Sequence, residues 1–195
     1  MFTKIYEQLK PSCLMFLWLS VLTGLGYPLV VTVLGTGLYP AQARGSLLRQ
    51  DGVVLGSACI GQPFSSDRYF WGRPSATAPF PGNAASSSGS NLAPSNPALR
   101  EAVRDRAAAL GKDNPGGEVP MDLVTTSASG LDPHISPQAA AWQVDRVAKA
   151  RGLSRQVVAD LVARHAEGRL WGFWGEPRIN VLGLNLALDG LAGSK

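Results

Sequence analysis

CLMFLWLSVLTGLGYPLVVTVL, residues 13–34, contains no charged side chain. At about 1.5 Å of rise per residue the stretch extends about 33 Å as a helix, close to the thickness of a bilayer's hydrocarbon core. A helix is the form lipid permits, because lipid offers no partner to an unpaired backbone amide. The reading that follows is a short N-tail over 1–11, a membrane helix over 12–34 and one folded domain over 35–195. The competing reading, a buried helix of a soluble core, is weaker: such a helix keeps a polar face, and this one has none.

A cleaved secretion signal is the other alternative. Ala41-Gln42-Ala43 has the small-x-small form of a cleavage site, and Lys4 and Lys10 make a weakly basic start. A signal's apolar region is usually about 7–15 residues long, and this run exceeds it. An uncleaved anchor is therefore favoured. Basic residues flank the run on both sides, Lys4 and Lys10 before it and Arg44 and Arg49 after it, so the positive-inside count is nearly balanced. The short N-tail points to a cytoplasmic N-terminus with the bulk of the chain outside. Gly24, Gly26 and Pro28 interrupt the run. Small residues let a second helix approach closely and Pro28 should kink the helix, although both residue types are also common in membrane helices for no special reason.

The chain of 195 residues carries a formal net charge of +4. Its arginines are scattered, which excludes the clustered basic footprint of a nucleic-acid binder. Of the two cysteines, Cys13 lies in the apolar run and Cys59 follows Gly56-Ser57-Ala58. The two do not pair, and Cys59 is expected as a small buried apolar residue.

Beyond the run, Asp51-Gly52 between apolar-rich stretches predicts a hairpin with strands near 46–50 and 53–60. Tyr69-Phe70-Trp71 suits a further strand, broken by Gly72 and Pro74. Residues 77–97 carry no charge and read either as a linker or as an ordered loop. Asn96-Pro97 opens a helix that Gly111 ends, and Met121–Thr126 alternates like a half-buried strand. Ser136-Pro137 starts a helix closed by Gly152. Ser154 starts another, with Val157, Val158, Leu161 and Val162 inward. Leu170–Trp174 reads as a short strand. Asn180 caps a last helix, with a strand over 179–187 as the alternative. Strands before and between helices argue an α+β domain.

Ser127, Ser129, Asp132 and His134 crowd into one stretch, but no nucleophile elbow accompanies them. A loop whose serines and Asp132 bond backbone amides accounts for them better. Gly111-Lys112 fails the phosphate-loop pattern, and the imidazoles of His134 and His165 belong to no metal-ligand spacing. An anchored accessory or binding domain without its own active site remains. The rivals are an anchored hydrolase and a stand-alone solute-binding domain.

Ordered motifs then run nearly end to end. They are Gly26-Tyr27-Pro28-Leu29, Gln42-Ala43, Gly45-Ser46-Leu47, Gly56-Ser57 and Ile60-Gly61-Gln62. Tyr69-Phe70-x-Gly72-Arg73-Pro74-Ser75-Ala76, Gly89-Ser90-Asn91-Leu92 and Ser129-Gly130-Leu131-Asp132-Pro133-His134-Ile135-Ser136-Pro137 follow. Gln143-x-x-Arg146-Val147-Ala148-x-Ala150-Arg151-Gly152 and Gly175-Glu176-Pro177-Arg178-x-Asn180-Val181-Leu182-x-Leu184-Asn185 close the series. With them the chain resembles the C subunit of the bacterial Kdp potassium-transporting ATPase. It departs from that family's pattern at Arg44, Ala128, Ser88, Ile179 and Gly183 without losing a motif.

The resemblance implies a single-pass subunit of the bacterial inner membrane, its α+β domain extracytoplasmic. The implied partners are a channel-like potassium-translocating subunit, a P-type ATPase subunit and a small membrane peptide. It implies no catalysis and no cofactor of its own, ATP and potassium being handled by the complex, and a chaperone-like promotion of ATP binding by the hydrolysing subunit. Gly24, Gly26 and Pro28 are then expected to pack on partner helices. The loop over 129–137, with Ser129, Asp132 and His134, is expected to hold the domain's frame. Arg73, Arg146 and Arg178 should join it there, as buried pairs with Asp132 or Glu176. Asn91, in the uncharged loop over 77–97, is the expected partner-facing position.

Overall fold

A computed structural model describes residues 2–50, 52–112, 114 and 117–192. The chain divides into two compact units, Met1–Leu47 and Leu48–Lys195.

The first unit is a helical rod. Helix α1 (Phe2–Val21) passes through a π-turn (Leu22–Gly26) into α2 (Tyr27–Leu38), and a one-turn helix α3 (Pro40–Ala43) follows. Tyr6–Leu38 is long and apolar enough to cross a membrane. It outruns the expected bounds of 12–34 at both ends, since the helix continues through the less apolar flanks. Pro28 does not break it. A proline supplies no amide proton and crowds the turn before it. Here that turn widens instead, the Tyr27 amide donating to the Leu22 carbonyl five residues back. Polar side chains in the rod are absorbed locally: the Thr23 and Thr36 hydroxyls donate to the Leu19 and Thr32 carbonyls at 2.7 Å.

The second unit is α+β. Strands β1 (Leu47–Gln50) and β2 (Val53–Ser57) form a two-stranded sheet. The turn expected at Asp51-Gly52 falls partly on Asp51, outside the described residues. Helices α4 (Pro97–Leu110) and α5 (Met121–Val124) precede strand β3 (His134–Ile135), α6 (Pro137–Arg151) and α7 (Arg155–His165). Strands β4 (Ala166–Glu167) and β5 (Arg178–Asn180) lead into α8 (Val181–Ala192). The second sheet has the order β3-β5-β4, antiparallel throughout, with Ile135 and Ala166 both opposite Ile179.

Local chemistry sets the helix starts. Asn96, Ser136 and Ser154 each accept an amide of the first turn from Ala98, Ala139 and Val157. Asn180 accepts the Gly183 amide at 3.0 Å and so starts α8, which decides against a strand over 179–187. Gly152 ends α6 in the left-handed conformation. The core is the face these helices share over the small sheet. Val144, Val147, Val158, Leu161, Ile179, Leu184 and Leu188 are buried together, with Phe70 beneath them. Ala139, Ala140 and Ala148 keep the facing surface of α6 narrow, and α6 packs chiefly on α7. Each Leu or Val buried here contributes about 1.5–3 kcal/mol.

Five expectations fail for identifiable reasons. Met121–Val124 is one helical turn rather than a strand, because the consecutive Leu123 and Val124 are both buried and alternation cannot bury neighbours. Residues 64–76 form no strand, since side-chain amides take the place of a ladder at Phe70 and Trp71. Leu170–Trp174 is a tight turn closed by one bridge between its ends. Cys59 is exposed, held on a turn where its amide donates to the Ser57 hydroxyl. Val157 faces outward, while Val158, Leu161 and Val162 are buried.

Candidate functional site

Three irregular segments of the second unit, over 58–64, 72–91 and 127–133, meet backbone to backbone. The Gly61 amide donates to the Leu131 carbonyl at 2.8 Å, and the Ser88 amide to the Ser129 carbonyl at 3.0 Å. Two glycines make the approach possible. A Cβ at Gly61 would lie 2.6 Å from the Asp132 carbonyl oxygen. At Gly130 φ is +67°, and a Cβ would lie 2.6 Å from the Ser88 carbonyl oxygen. The uncharged loop over 77–97 is held by the hydroxyls of Ser75, just before it, and Thr77. Ser75 Oγ donates to the Gly130 carbonyl at 2.7 Å and accepts the Gly82 amide at 3.0 Å. Thr77 Oγ1 donates to the Phe80 carbonyl and accepts the Asn83 amide.

On this frame Arg73 reaches Asp132. Its Nη1 donates to Asp132 Oδ2 at 3.2 Å and its Nη2 to the Thr126 carbonyl at 3.2 Å. Its Nε is buried without a hydrogen-bond partner. Asp132 Oδ1 accepts the His134 amide at 3.0 Å and lies 3.6 Å from His134 Nδ1. The pair is half-buried rather than fully buried. A cavity of about 370 Å³ opens beside it, lined by Gln62, Phe64, Arg73, Ser75, Arg106 and Asp132 among others. Its charges are two guanidinium groups and one carboxylate, an arrangement suited to holding a frame or a small polar group. The Ser75 and Ser129 hydroxyls serve backbone groups, Ser129 Oγ accepting the Leu131 amide at 3.1 Å. Ser127 is buried. The crowding of Ser, Asp and His in the sequence is thus loop architecture. Among the described residues no three His, Cys, Asp or Glu side chains gather as a metal site.

The remaining singled-out residues disperse. Arg146, on α6, forms a separate cluster. Its Nη1 donates to the Asp67 carbonyl at 2.8 Å, and its Nη2 to the Tyr69 carbonyl at 3.1 Å and to Gln143 Oε1 at 2.7 Å. Its guanidinium lies 3.6 Å from the centre of the Trp71 ring. Arg178 does not meet Asp132 or Glu176 as expected. It pairs with Glu167 at 3.0 Å across β4 and β5, both side chains exposed, and Glu176 takes Arg169 instead. The antiparallel register places Glu167 opposite Arg178, which is why that pair forms. Arg178 and Glu176 do line a shallow cavity of about 350 Å³ with Arg73, Asp132 and His134. Asn91 is exposed with φ +52°. Gly24, Gly26 and Pro28 lie in the rod, with open space beyond Gly24.

Four further residues hold the segment over 67–71; the sequence motifs include Gln143, Arg151 and Asn185 without giving them a role, and omit Asp189. Asn185 Oδ1 accepts the Phe70 amide at 2.8 Å and its Nδ2 donates to the Phe70 carbonyl at 2.9 Å. Gln143 does the same for Trp71, at 2.8 and 3.1 Å. Arg151 donates to the Arg68 carbonyl and to Asp189, which also accepts the Tyr69 hydroxyl. The available signal was a polar residue inside an apolar helical stripe: Gln143 among Ala139, Ala140, Val144 and Val147, and Asn185 between Leu184 and Leu188.

The family model described as K+-transporting ATPase, c chain (KdpC), matches residues 9–190. The potassium-transporting ATPase KdpC subunit of Methylococcus capsulatus is 61% identical over 187 residues, covering 95% of this chain and 98% of the relative. That of Methylibium petroleiphilum is 60% identical over 184 residues, covering 93% and 96%. That of Rhodopseudomonas palustris is 55% identical over 194 residues, covering 94% and 98%.

Proposed function

Because the chain belongs to the KdpC family, the c chains of K+-transporting ATPases, we propose that it is the single-span accessory subunit of an ATP-driven potassium uptake complex in a bacterial plasma membrane. The observation that carries this reading is identity of 55–61% to KdpC subunits over almost the whole chain. The partners are a channel-like potassium-translocating subunit, a P-type ATPase subunit that hydrolyses ATP and a small membrane peptide. This chain supplies assembly and coupling, and the chemistry stays with the ATPase subunit.

The apolar rod holds the subunit in lipid, and Gly24 and Gly26 let a partner helix approach it closely. The folded unit stands on the outer side, near the potassium entrance. ATP is cytoplasmic, so a chaperone-like effect on ATP binding travels through the rod or through partner conformation. The π-turn at Leu22–Gly26 is the place in the rod able to yield, because a widened turn holds a weaker hydrogen-bond pattern than the helix around it.

The test is a pull-down from detergent-solubilised membranes with the tagged full chain. Co-purification of two large membrane subunits with potassium-stimulated ATP hydrolysis is expected. Recovery of the chain as a lone monomer, or after cleavage behind Ala43, refutes the reading.

A further inference from the structure

The turn between β4 and β5 reads Arg169-Leu170-Trp171-Gly172-Phe173-Trp174-Gly175. Leu170, Trp171, Phe173 and Trp174 are 58, 78, 69 and 67% exposed. Among the described residues of the second unit, the only other large exposed aromatic side chain is Phe80. The turn is also a built object. The Leu170 and Trp174 amides each donate to the other's carbonyl at 2.9 Å, and Gly172 closes back on the Arg169 carbonyl. Trp171 holds φ +54°, a left-handed conformation that a bulky side chain seldom adopts. That conformation is kept although Trp171 remains mostly in water. Two ion pairs, Arg169–Glu176 and Arg178–Glu167, neutralise the collar beneath the tip.

We propose that this aromatic tip seats in the interfacial zone of the lipid bilayer, as a second membrane contact of the chain beside its span. The tip is convex and apolar with indole N–H groups at its surface, the chemistry of aromatic side chains at the headgroup level. The collar's two ion pairs leave it without net charge, so it adds no net repulsion or attraction at the lipid surface. Lipid is the occupant because the chain carries its own anchor. Leu38 closes the span and Leu48 begins the folded unit. That linker reaches at most about 35 Å, so a bilayer is always within the unit's surroundings. A binding event between tethered parts needs little intrinsic affinity.

The inference rests on the span being inserted, and the experiment separates the two. The full chain carrying Cys13→Ser, Cys59→Ser and Phe173→Cys is labelled with an environment-sensitive fluorophore and reconstituted in phosphatidylcholine–phosphatidylglycerol nanodiscs. Half of the preparations contain lipid with a shallow nitroxide quencher. Ala84→Cys, at an exposed position of the same unit, is the control site. A Cys59→Ser chain labelled at native Cys13 reports the span. The expected result is quenching at position 173 about threefold or more above position 84, lost when Trp171→Ser and Trp174→Ser are added. Quenching at Cys13 with none at 173 overturns the proposal and leaves the span intact. So does a label at 173 that is shielded from water only when partner subunits are present and is never quenched by lipid, which would make the tip a protein contact. Absence of quenching at both sites overturns the proposal together with the anchoring beneath it.

Discussion

Asn185→Leu removes one side-chain amide and nothing else of similar size. In the folded chain Asn185 is 1% exposed and satisfies both backbone groups of Phe70, which is itself fully buried. Leucine keeps the branched outline of asparagine, is somewhat bulkier, and offers neither a donor nor an acceptor. A buried polar group left unsatisfied costs about 1–3 kcal/mol, so the two together cost about 2–6 kcal/mol. The added apolar burial offsets about 2 kcal/mol at most. With the full offset the net loss is about 0–4 kcal/mol, centred near 2 kcal/mol. For a unit of this size each kcal/mol lowers Tm by about 2–4 °C, so the central loss gives a fall of about 4–8 °C. The assay is thermal unfolding of the detergent-solubilised full chain followed by near-ultraviolet circular dichroism. That signal reports tertiary packing around the aromatic side chains of the second unit while the rod stays helical in the micelle. Asn185→Asp should be no better. It keeps an acceptor for the Phe70 amide but turns an oxygen toward the Phe70 carbonyl. A fall in Tm below about 2 °C for Asn185→Leu would refute the claim that side-chain amides stand in for a missing strand partner.

Gly130→Ala and Gly152→Ala both place a methyl group at positive φ, but only Gly130 faces backbone within 2.6 Å. Losses of about 3 kcal/mol and about 1 kcal/mol are expected from denaturant titrations, and the reverse order would contradict the packing of the three loops. Arg73→Gln cuts the bond to Asp132 and weakens the hold on the Thr126 carbonyl. It should cost about 1–3 kcal/mol by the same titration, and a neutral result would place Arg73 outside the frame. For Gly24→Leu, the added Cβ meets no side chain of its own chain within 4 Å. The variant's Tm should match the wild type within about 1 °C, while recovery of partner subunits in a detergent pull-down falls about fivefold or more. Undiminished recovery would remove Gly24 from the helix contact.

What could be read from residue order was whatever is decided within a few positions. An uncharged apolar run of this length has one stable environment, so the rod was visible at once. Asn96, Ser136, Ser154 and Asn180 announced their helices because each cap bonds an amide two or three residues on. The frame around Asp132 was half visible. Its loop character followed from Gly, Pro, Ser and Asp in one stretch, yet Arg178 went to Glu167 once β4 and β5 had aligned.

Tertiary structure alone decided where long-range polar partners lie. Phe70 and Trp71 look like strand residues, and their backbone is claimed by Asn185 and Gln143, 115 and 72 positions away. Met121–Val124 alternates in sequence, but two neighbouring side chains are both buried there, so it turns helical. Cys59 is small and apolar and still faces solvent, because the turn that carries it lies outside the core. Apolar periodicity records how much surface a segment must bury. It does not record which distant amide will satisfy a backbone group that burial has cut off from water.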